Sequence, residues 1–357
     1  MKKIDNTMLA GISLIALALF LFAGVLFYAQ RNNVTVLGNP REEVAAKSTV
    51  DDSGNTQSST AASESDSSTQ STAADSQSAS DPQPATSSNV PSAADATDWL
   101  SYVNAIRASA GIPPVTEDAG LSSAAQAHAR YMVANNSSAH SQDPSSPEYS
   151  EAGNQAAKDG LLYADTQTSA GYVESVAYWV SGPFHLVPLL NPRLDKMGYA
   201  DFTDVGSSGT KMAGVLNLGP RGTHGADEDV YPAMFPGDGQ STAVLRQFLF
   251  EWPNAEGHCG FKRPVGPPIV LMVGTGNQTP SVGNYSVTEN GSAIEVCMMN
   301  ETNFSGMDSS QQSVGRTILD SLDAVVLIPH SPLKAGSTYE VNIEVSGKSH
   351  SWSFSAE

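Results

Sequence analysis

Cysteine is scarce in this sequence, and its two copies, Cys259 and Cys297, both lie in the C-terminal third. Neither belongs to a CxxC pair or to a Cys/His spacing, so the pattern does not indicate structural zinc. A disulfide is compatible with an exported chain, but the sequence does not show whether the two Cα atoms come close enough. The pairing therefore stays open at this level.

Basic residues are also few. There are 18 Lys and Arg against 37 Asp and Glu, which gives a net charge of -19. A phosphate backbone would be repelled by such a chain, and no basic stripe relieves this. We therefore expect no nucleic-acid partner, and we interpret the acidity as a solvated surface that resists non-specific association.

Large apolar residues are nearly missing between about residue 39 and residue 97, where Ser, Thr, Ala, Asp, Gln and Pro dominate. Such a segment cannot bury enough apolar surface to offset the entropy of ordering. We therefore predict that residues 30–97 form a disordered stalk rich in Ser, Thr and Asp.

The N-terminus has the opposite character, because residues 7–29 form an apolar run without a charge. About 20 such residues span a bilayer as a helix, so the run predicts an uncleaved transmembrane signal anchor. The alternative is a cleaved signal peptide, whose apolar core is shorter. Lys2 and Lys3 favour a cytoplasmic tip at residues 1–6. We expect a single-pass protein of the cell membrane with extracytoplasmic domains, or a secreted protein if the segment is cleaved.

Residues 98–222 show helical apolar spacing first and strand patterns afterwards, which indicates an α+β domain. Helices are predicted after a candidate N-cap at Asp98, in TEDAGLSSAAQAHARYMVANN, over 150–159 and in TSAGYVESVAYWV, and strands in MGYADF and KMAGVLNLG. After a linker at 223–230, residues 231–357 contain repeated short apolar or alternating runs, which predict an all-β sandwich.

Three polar residues of the first domain are candidates for chemistry: His140, Glu151 and His185. Two imidazoles and a carboxylate can bind a divalent metal or act as acid and base. Their wide separation gives no signal by itself. His185 lies in WVSGPFHLVPLLNP, where a core histidine is as plausible as a functional one.

Several segments, taken in order, resemble the CAP superfamily of cysteine-rich secretory, antigen 5 and pathogenesis-related 1 proteins. They are Asn104-x-x-Arg107, Gly111-Ile112-x-Pro114-Val115, the Ala125-x-x-His128-Ala129-x-x-Met132 helix, His140, the pair Trp179 and His185 of a W-x-x-S-P-G-H-like segment, and the strand Ala213 to Leu218. The resemblance covers about residues 98–219. It implies a three-layer α-β-α sandwich.

The resemblance also implies a central cleft with two histidines and two acidic residues, which in some members binds a divalent metal such as zinc. His140 and His185 match by position. The usual Gly-Glu-Asn motif is replaced by Glu151-Ala152-Gly153-Asn154, so Glu151 would act from a shifted position. The second acidic position carries Ser181 or Gly182, and Glu174 is a weak substitute that we expect to be solvated.

The C-terminal part resembles the immunoglobulin-like module that follows the domain in some bacterial members, including a W-x-F strand at Trp352-Ser353-Phe354. Because some members bind sterols or fatty acids, the first functional hypothesis is a non-enzymatic, membrane-anchored module. Its histidine-containing cleft would bind a small apolar or lipid-like ligand or a cell-surface partner. The alternatives are a metal-assisted hydrolase using His140, His185 and Glu151, and a structural adhesin or scaffold. Oligomeric state is not indicated.

Overall fold

The computed structural model describes residues 96–220, 230–247 and 251–357. The predicted signal anchor, nearly all of the predicted stalk and most of the predicted linker lie outside these ranges. Within them, no helix combines the length and the apolar character that a membrane crossing requires.

The N-terminal part, residues 96–220, contains five helices and four strands in its described residues. They are α1 (Trp99–Ser109), β1 (Thr116–Glu117), α2 (Ala119–Asn135), α3 (Glu151–Asp159), β2 (Gly160–Asp165), α4 (Tyr172–Ser181), α5 (Pro183–Leu189), β3 (Lys196–Thr203) and β4 (Met212–Asn217). The predicted helices and both predicted strands are present. The sequence analysis predicted neither β2 nor α5.

Side chains at the helix starts explain several of these boundaries. Asp98 accepts a hydrogen bond from the backbone N–H of Ser101, while the Ser101 hydroxyl accepts one from the N–H of Asp98. Asp118 and Ser150 cap α2 and α3 through their side-chain oxygens. Such caps satisfy backbone N–H groups that have no partner inside the helix.

The four strands form one sheet in the order β1-β3-β4-β2, in which β1 and β3 are parallel and the other pairs antiparallel. On one face, Ala129 and Met132 of α2 pack with Val215 of β4. On the other face, Ile106 of α1 and Trp179 of α4 are fully buried in a second cluster. This is the three-layer α-β-α arrangement that the resemblance implied.

The C-terminal part, from residue 230 onward, is rich in strands. Its elements are β5 (Ala233–Phe235), β6 (Gln240–Thr242), α6 (Glu256–Cys259), β7 (Ile269–Met272), β8 (Val282–Glu289), β9 (Ser292–Ile294), β10 (Val296–Met299), α7 (Ser309–Asp320), β11 (Ala324–Pro329), β12 (Thr338–Val345) and β13 (Lys348–Ala356). The sheets have the orders β10-β11-β7-β5 and β6-β13-β12-β8-β9. The β-rich prediction is confirmed, but the region is not entirely β, because it contains α6 and the 12-residue helix α7.

The four-stranded sheet of the C-terminal part, β10-β11-β7-β5, is buried on both faces at its two central strands. Alternate residues of β7 and β11, such as Leu271 and Leu327, pack against Trp352 of the five-stranded sheet. The intervening residues, such as Val270 and Val326, belong to the same apolar cluster as Trp179 of the N-terminal part. The two parts of the chain therefore share one hydrophobic core.

Cys259 and Cys297 form a disulfide with a Cα–Cα distance of 5.5 Å, which settles the pairing that the sequence left open. The bond ties α6 to β10, next to the segment that carries Glu251 and Trp252.

Candidate functional site

A pocket of about 330 Å³ lies where the N-terminal and C-terminal parts meet, and His140 and His185 both line it. Apolar side chains form much of its wall, including Leu161, Phe184 and Ile318. Trp252 stands at the pocket with 48% of its surface exposed. The structure thus brings the two sequence-predicted histidines to one cleft with an apolar lining.

His185 is positioned by the start of α5. Gly182 precedes the helix in an extended conformation and Pro183 occupies its first turn, where the fixed backbone of proline is tolerated. His185 itself is buried, with 7% of its surface exposed, and the ring of Tyr178 lies 5.1 Å from its ring, centroid to centroid.

The ring of His185 pairs with Glu251, a residue that the sequence analysis missed. The distance from His185 Nδ1 to Glu251 Oε2 is 2.8 Å, and the two side chains are 8% and 5% exposed. The backbone N–H of Phe184 also points at this carboxylate, 3.2 Å from Oε2. Glu251 comes from the C-terminal part, 66 residues further along the chain than His185. The one signal in the sequence is a single carboxylate inside the apolar run FLFEWP.

His140 follows α2 and is exposed at the pocket. Its Nδ1 lies 2.8 Å from the carbonyl oxygen of Ala157, at the end of α3. Because a carbonyl only accepts, Nδ1 must carry a proton, and in the neutral ring the lone pair is then on Nε2.

Glu151 does not reach the pocket. It is the first residue of α3, its side chain is exposed, and its Oε2 accepts a hydrogen bond of 2.6 Å from the hydroxyl of Tyr149. Gly153, two residues further on, lies against Gln142 and Ser150, so close that an added Cβ would be 2.6 Å from the Gln142 amide nitrogen. A side chain that bears a carboxylate therefore has no room at position 153.

Glu174 is buried rather than solvated, and the expectation from the sequence was wrong. It has 1% of its surface exposed, and its Oε2 accepts from the N–H of Gly171, which caps α4. Burial raises the pKa values of Tyr102, Tyr163 and Tyr199, and the charge of Glu174 adds to each increase. Glu174 therefore belongs to the interior behind α4 and does not line the cleft.

His128 is a buried core histidine. It is fully buried, and its Nδ1 lies 3.1 Å from the amide nitrogen of Gln142. Burial, together with the nearby His140, lowers the pKa of His128 to about 4. The ring is therefore neutral at physiological pH.

The described residues do not fit a zinc site built from His140, His185 and Glu151. Catalytic zinc needs three protein ligands. Among the residues that the structure describes, one group of at least three His, Cys, Asp or Glu side chains has ligand atoms within 4.8 Å of one another. It consists of Glu301, Asp320 and Asp323, which lie far along the chain from either histidine. Glu251 does not complete a metal site with the two histidines. Its carboxylate faces Nδ1 of His185, where it orients the imidazole, and it does not line the pocket.

Comparison with known families adds a decisive match. Residues 100–210 match the sequence model of the cysteine-rich secretory protein family, CAP. Residues 100–210 form a CAP domain. The match includes His140 and His185 but ends before Glu251, so the pocket is built partly from the CAP domain and partly from residues beyond it. Searches among curated proteins and among solved structures found no match.

Proposed function

We propose that this protein is a non-enzymatic binding module, in which the pocket between the CAP domain and the C-terminal part holds a small apolar or lipid-like ligand. The observation that carries the proposal is the composition of the pocket. Two histidines lie in a wall of apolar and aromatic side chains, and ligand sites typically combine an apolar lining with a few placed polar groups.

The polar end of the pocket suggests how a ligand would be oriented. Nδ1 of His185 is engaged with Glu251, which leaves Nε2 of a neutral ring as a hydrogen-bond acceptor. A ligand hydroxyl could donate to this nitrogen while its apolar body lies along Phe184 and Ile318. Lys158, also at the pocket, adds an exposed ammonium group at the rim.

We further propose that the module is held at the outer face of a membrane by residues 7–29. The support is the uncharged apolar run in the sequence, long enough to span a bilayer, followed by a stretch too polar to form a core. A cell-surface partner is then the alternative occupant of the same cleft.

Two other functions, a metal-assisted hydrolase and a structural scaffold, have less support from the described residues. A metal-assisted hydrolase needs a third ligand beside the two histidines, and Glu151 lies elsewhere. Peptide or ester turnover that disappears in the His140→Ala/His185→Ala double variant would favour it nonetheless. A scaffold whose cleft has no role would capture its partner even when the pocket is altered.

Contact quenching of Trp252 tests the proposal. Bromine on an alkyl chain quenches tryptophan fluorescence only on close approach, so we would titrate the purified chain with a bromoalkyl alcohol. The Trp252→Phe variant identifies the Trp252 signal among the four tryptophans. We expect saturable quenching in the wild-type chain and an affinity about tenfold lower in Ile318→Glu, equivalent to about 1.4 kcal/mol.

Val205→Glu is the matched control, because Val205 is 77% exposed and lies away from the pocket lining. It introduces the same charge in place of a branched apolar side chain and should bind like the wild type. Equal quenching curves for Ile318→Glu and Val205→Glu would show that the alcohol does not enter this pocket, and the proposal would be wrong.

A further inference from the structure

Glu251 pairs with a CAP-domain histidine from outside the segment that matches the family. It lies 41 residues beyond the end of the matched segment at residue 210 (251 minus 210). Even so, its carboxylate contacts the start of α5, and a Cβ added to Gly182 would lie only 2.5 Å from Glu251 Oε2. The glycine therefore makes room for a side chain that comes from the C-terminal part.

We propose that Glu251 is a positioning residue of the cleft, which holds His185 in the tautomer with its proton on Nδ1 and so presents an unprotonated Nε2 to the pocket. An ionised carboxylate only accepts hydrogen bonds, so the 2.8 Å contact requires a proton on Nδ1. A carboxylate that accepts a hydrogen bond from one ring nitrogen fixes both the tautomer and the ring orientation of a histidine. The proposal rests on the proposed function only for the assignment of this pocket as the binding site.

The surroundings of Glu251 fit a fixed, oriented group. The carboxylate also faces the backbone N–H of Phe184, and a buried charge is tolerated when hydrogen bonds of this kind satisfy its oxygens. Arg263 lies in the same region. Burial lowers the pKa of Arg263, while the charges of Glu256 and Glu251 act in the opposite direction. The His185 ring is in addition held by Tyr178.

The packing behind this pair makes the cleft a composite of both parts of the chain. Phe184, which follows Pro183 in α5, meets Phe304 of the C-terminal part with ring centroids 4.8 Å apart. Residues of α7, including Ile318, line the same pocket as the histidines. The CAP domain alone therefore lacks part of the cleft wall and the group that orients His185.

Nitrogen NMR of the histidine side chains tests this directly. The full-length chain would be labelled with ¹⁵N-histidine, and His185→Gln would assign the His185 signals among the seven histidines. We expect the wild-type His185 to show a protonated Nδ1 and an unprotonated Nε2. In Glu251→Gln a neutral amide, which can donate as well as accept, replaces the charge-assisted acceptor. The ratio of the two tautomers should move about tenfold toward Nε2–H, since charged and neutral hydrogen bonds differ by about 1–1.5 kcal/mol.

Glu151→Gln is the control, because it removes a carboxylate that lies outside the pocket, and it should leave the His185 signals unchanged. An unchanged His185 tautomer in folded Glu251→Gln overturns the proposal. If that variant does not fold, the wild-type spectrum still decides, because an Nε2–H tautomer of His185 contradicts the assigned role. The bromoalkyl alcohol titration is read separately. A tautomer change without ligand binding keeps the role of Glu251 and rejects the proposed ligand class.

Discussion

The ring of Phe304 meets the ring of Phe184 edge-on at a centroid distance of 4.8 Å, and it joins the C-terminal part to the helix that carries His185. Gly315 of α7 packs against both rings. A Cβ added there would lie 2.3 Å from a ring carbon of Phe304 and 3.0 Å from one of Phe184. Aromatic pairs of this geometry stabilise by about 0.5–1.5 kcal/mol beyond their area burial.

Gly315→Ala is therefore expected to destabilise the protein although alanine is the better helix former. Overpacking costs about 1–3 kcal/mol, whereas the gain in helix propensity is about 1 kcal/mol. We expect a net loss of up to about 2 kcal/mol in the free energy of unfolding, measured by urea denaturation. Ser310→Ala, at an exposed position of the same helix, is the control. A Gly315→Ala protein as stable as the control would contradict the tight contact.

Arg107 clamps the end of α5. It is fully buried, and its guanidinium donates to the carbonyl oxygens of Pro113, Leu189, Asn191 and Leu194 at 2.9–3.2 Å. Burial lowers its pKa to about 10, so it stays charged at neutral pH.

Arg107→Met should cost on the order of 3–5 kcal/mol, because it leaves several buried carbonyl groups without their donor. Arg107→Lys keeps one charged donor group and should lose less. Urea unfolding measures both variants. Equal losses in the two would contradict this expectation, because they would mean that a single ammonium group replaces none of the donors of the planar fork.

The Cys259–Cys297 disulfide should contribute measurably to stability. It closes a loop of 38 residues, for which the chain-entropy treatment gives about 2–4 kcal/mol. The Cys259→Ser/Cys297→Ser double variant should lose this amount, and the wild-type protein under reducing conditions should lose a similar amount. Thermal unfolding with and without reductant checks the prediction, and a wild-type midpoint insensitive to reductant would refute it.

His128 should make the protein less stable in mild acid. Its pKa is lowered to about 4 in the folded state, against 6.5 for an ordinary histidine, so the unfolded chain binds the proton more readily between these values. Stability from this group is complete above pH 6.5 and is lost as pH falls, by about 3 kcal/mol at pH 4.

His128→Asn keeps an acceptor near the Gln142 amide and removes the titrating ring. The variant should therefore show a shallower decline in the free energy of unfolding from pH 7 to pH 4. The two pH slopes, obtained by urea unfolding, are compared directly. Parallel slopes would show that other groups cause the acid sensitivity.

Much of the N-terminal part was accessible from sequence, because local signals define it. Asp98 and Ser150 cap helices as their residue types predict, and the apolar spacing of α2 and α4 marks their buried faces. Strand β2 was missed because it is buried along nearly its whole length, so its residues lack the alternation that identifies a half-exposed strand.

The cleft was accessible only in part. His140 and His185 were selected by a family pattern, and the structure places both at the pocket. Glu251 was not selected, since its role depends on a contact made across 66 residues of sequence. Long-range pairing of this kind leaves no periodic trace in the sequence. Glu151, the nearer carboxylate in the sequence, lies outside the pocket.

The double burial of β7 and β11 has a practical consequence for how this chain can be divided. A fragment that stopped at residue 222 would leave bare the apolar surface of the CAP domain that now faces Val270 and Val326. Such a fragment would expose a sticky face and tend to aggregate. A fragment that keeps this core intact must therefore include the C-terminal part, and unfolding should proceed in one step through both parts.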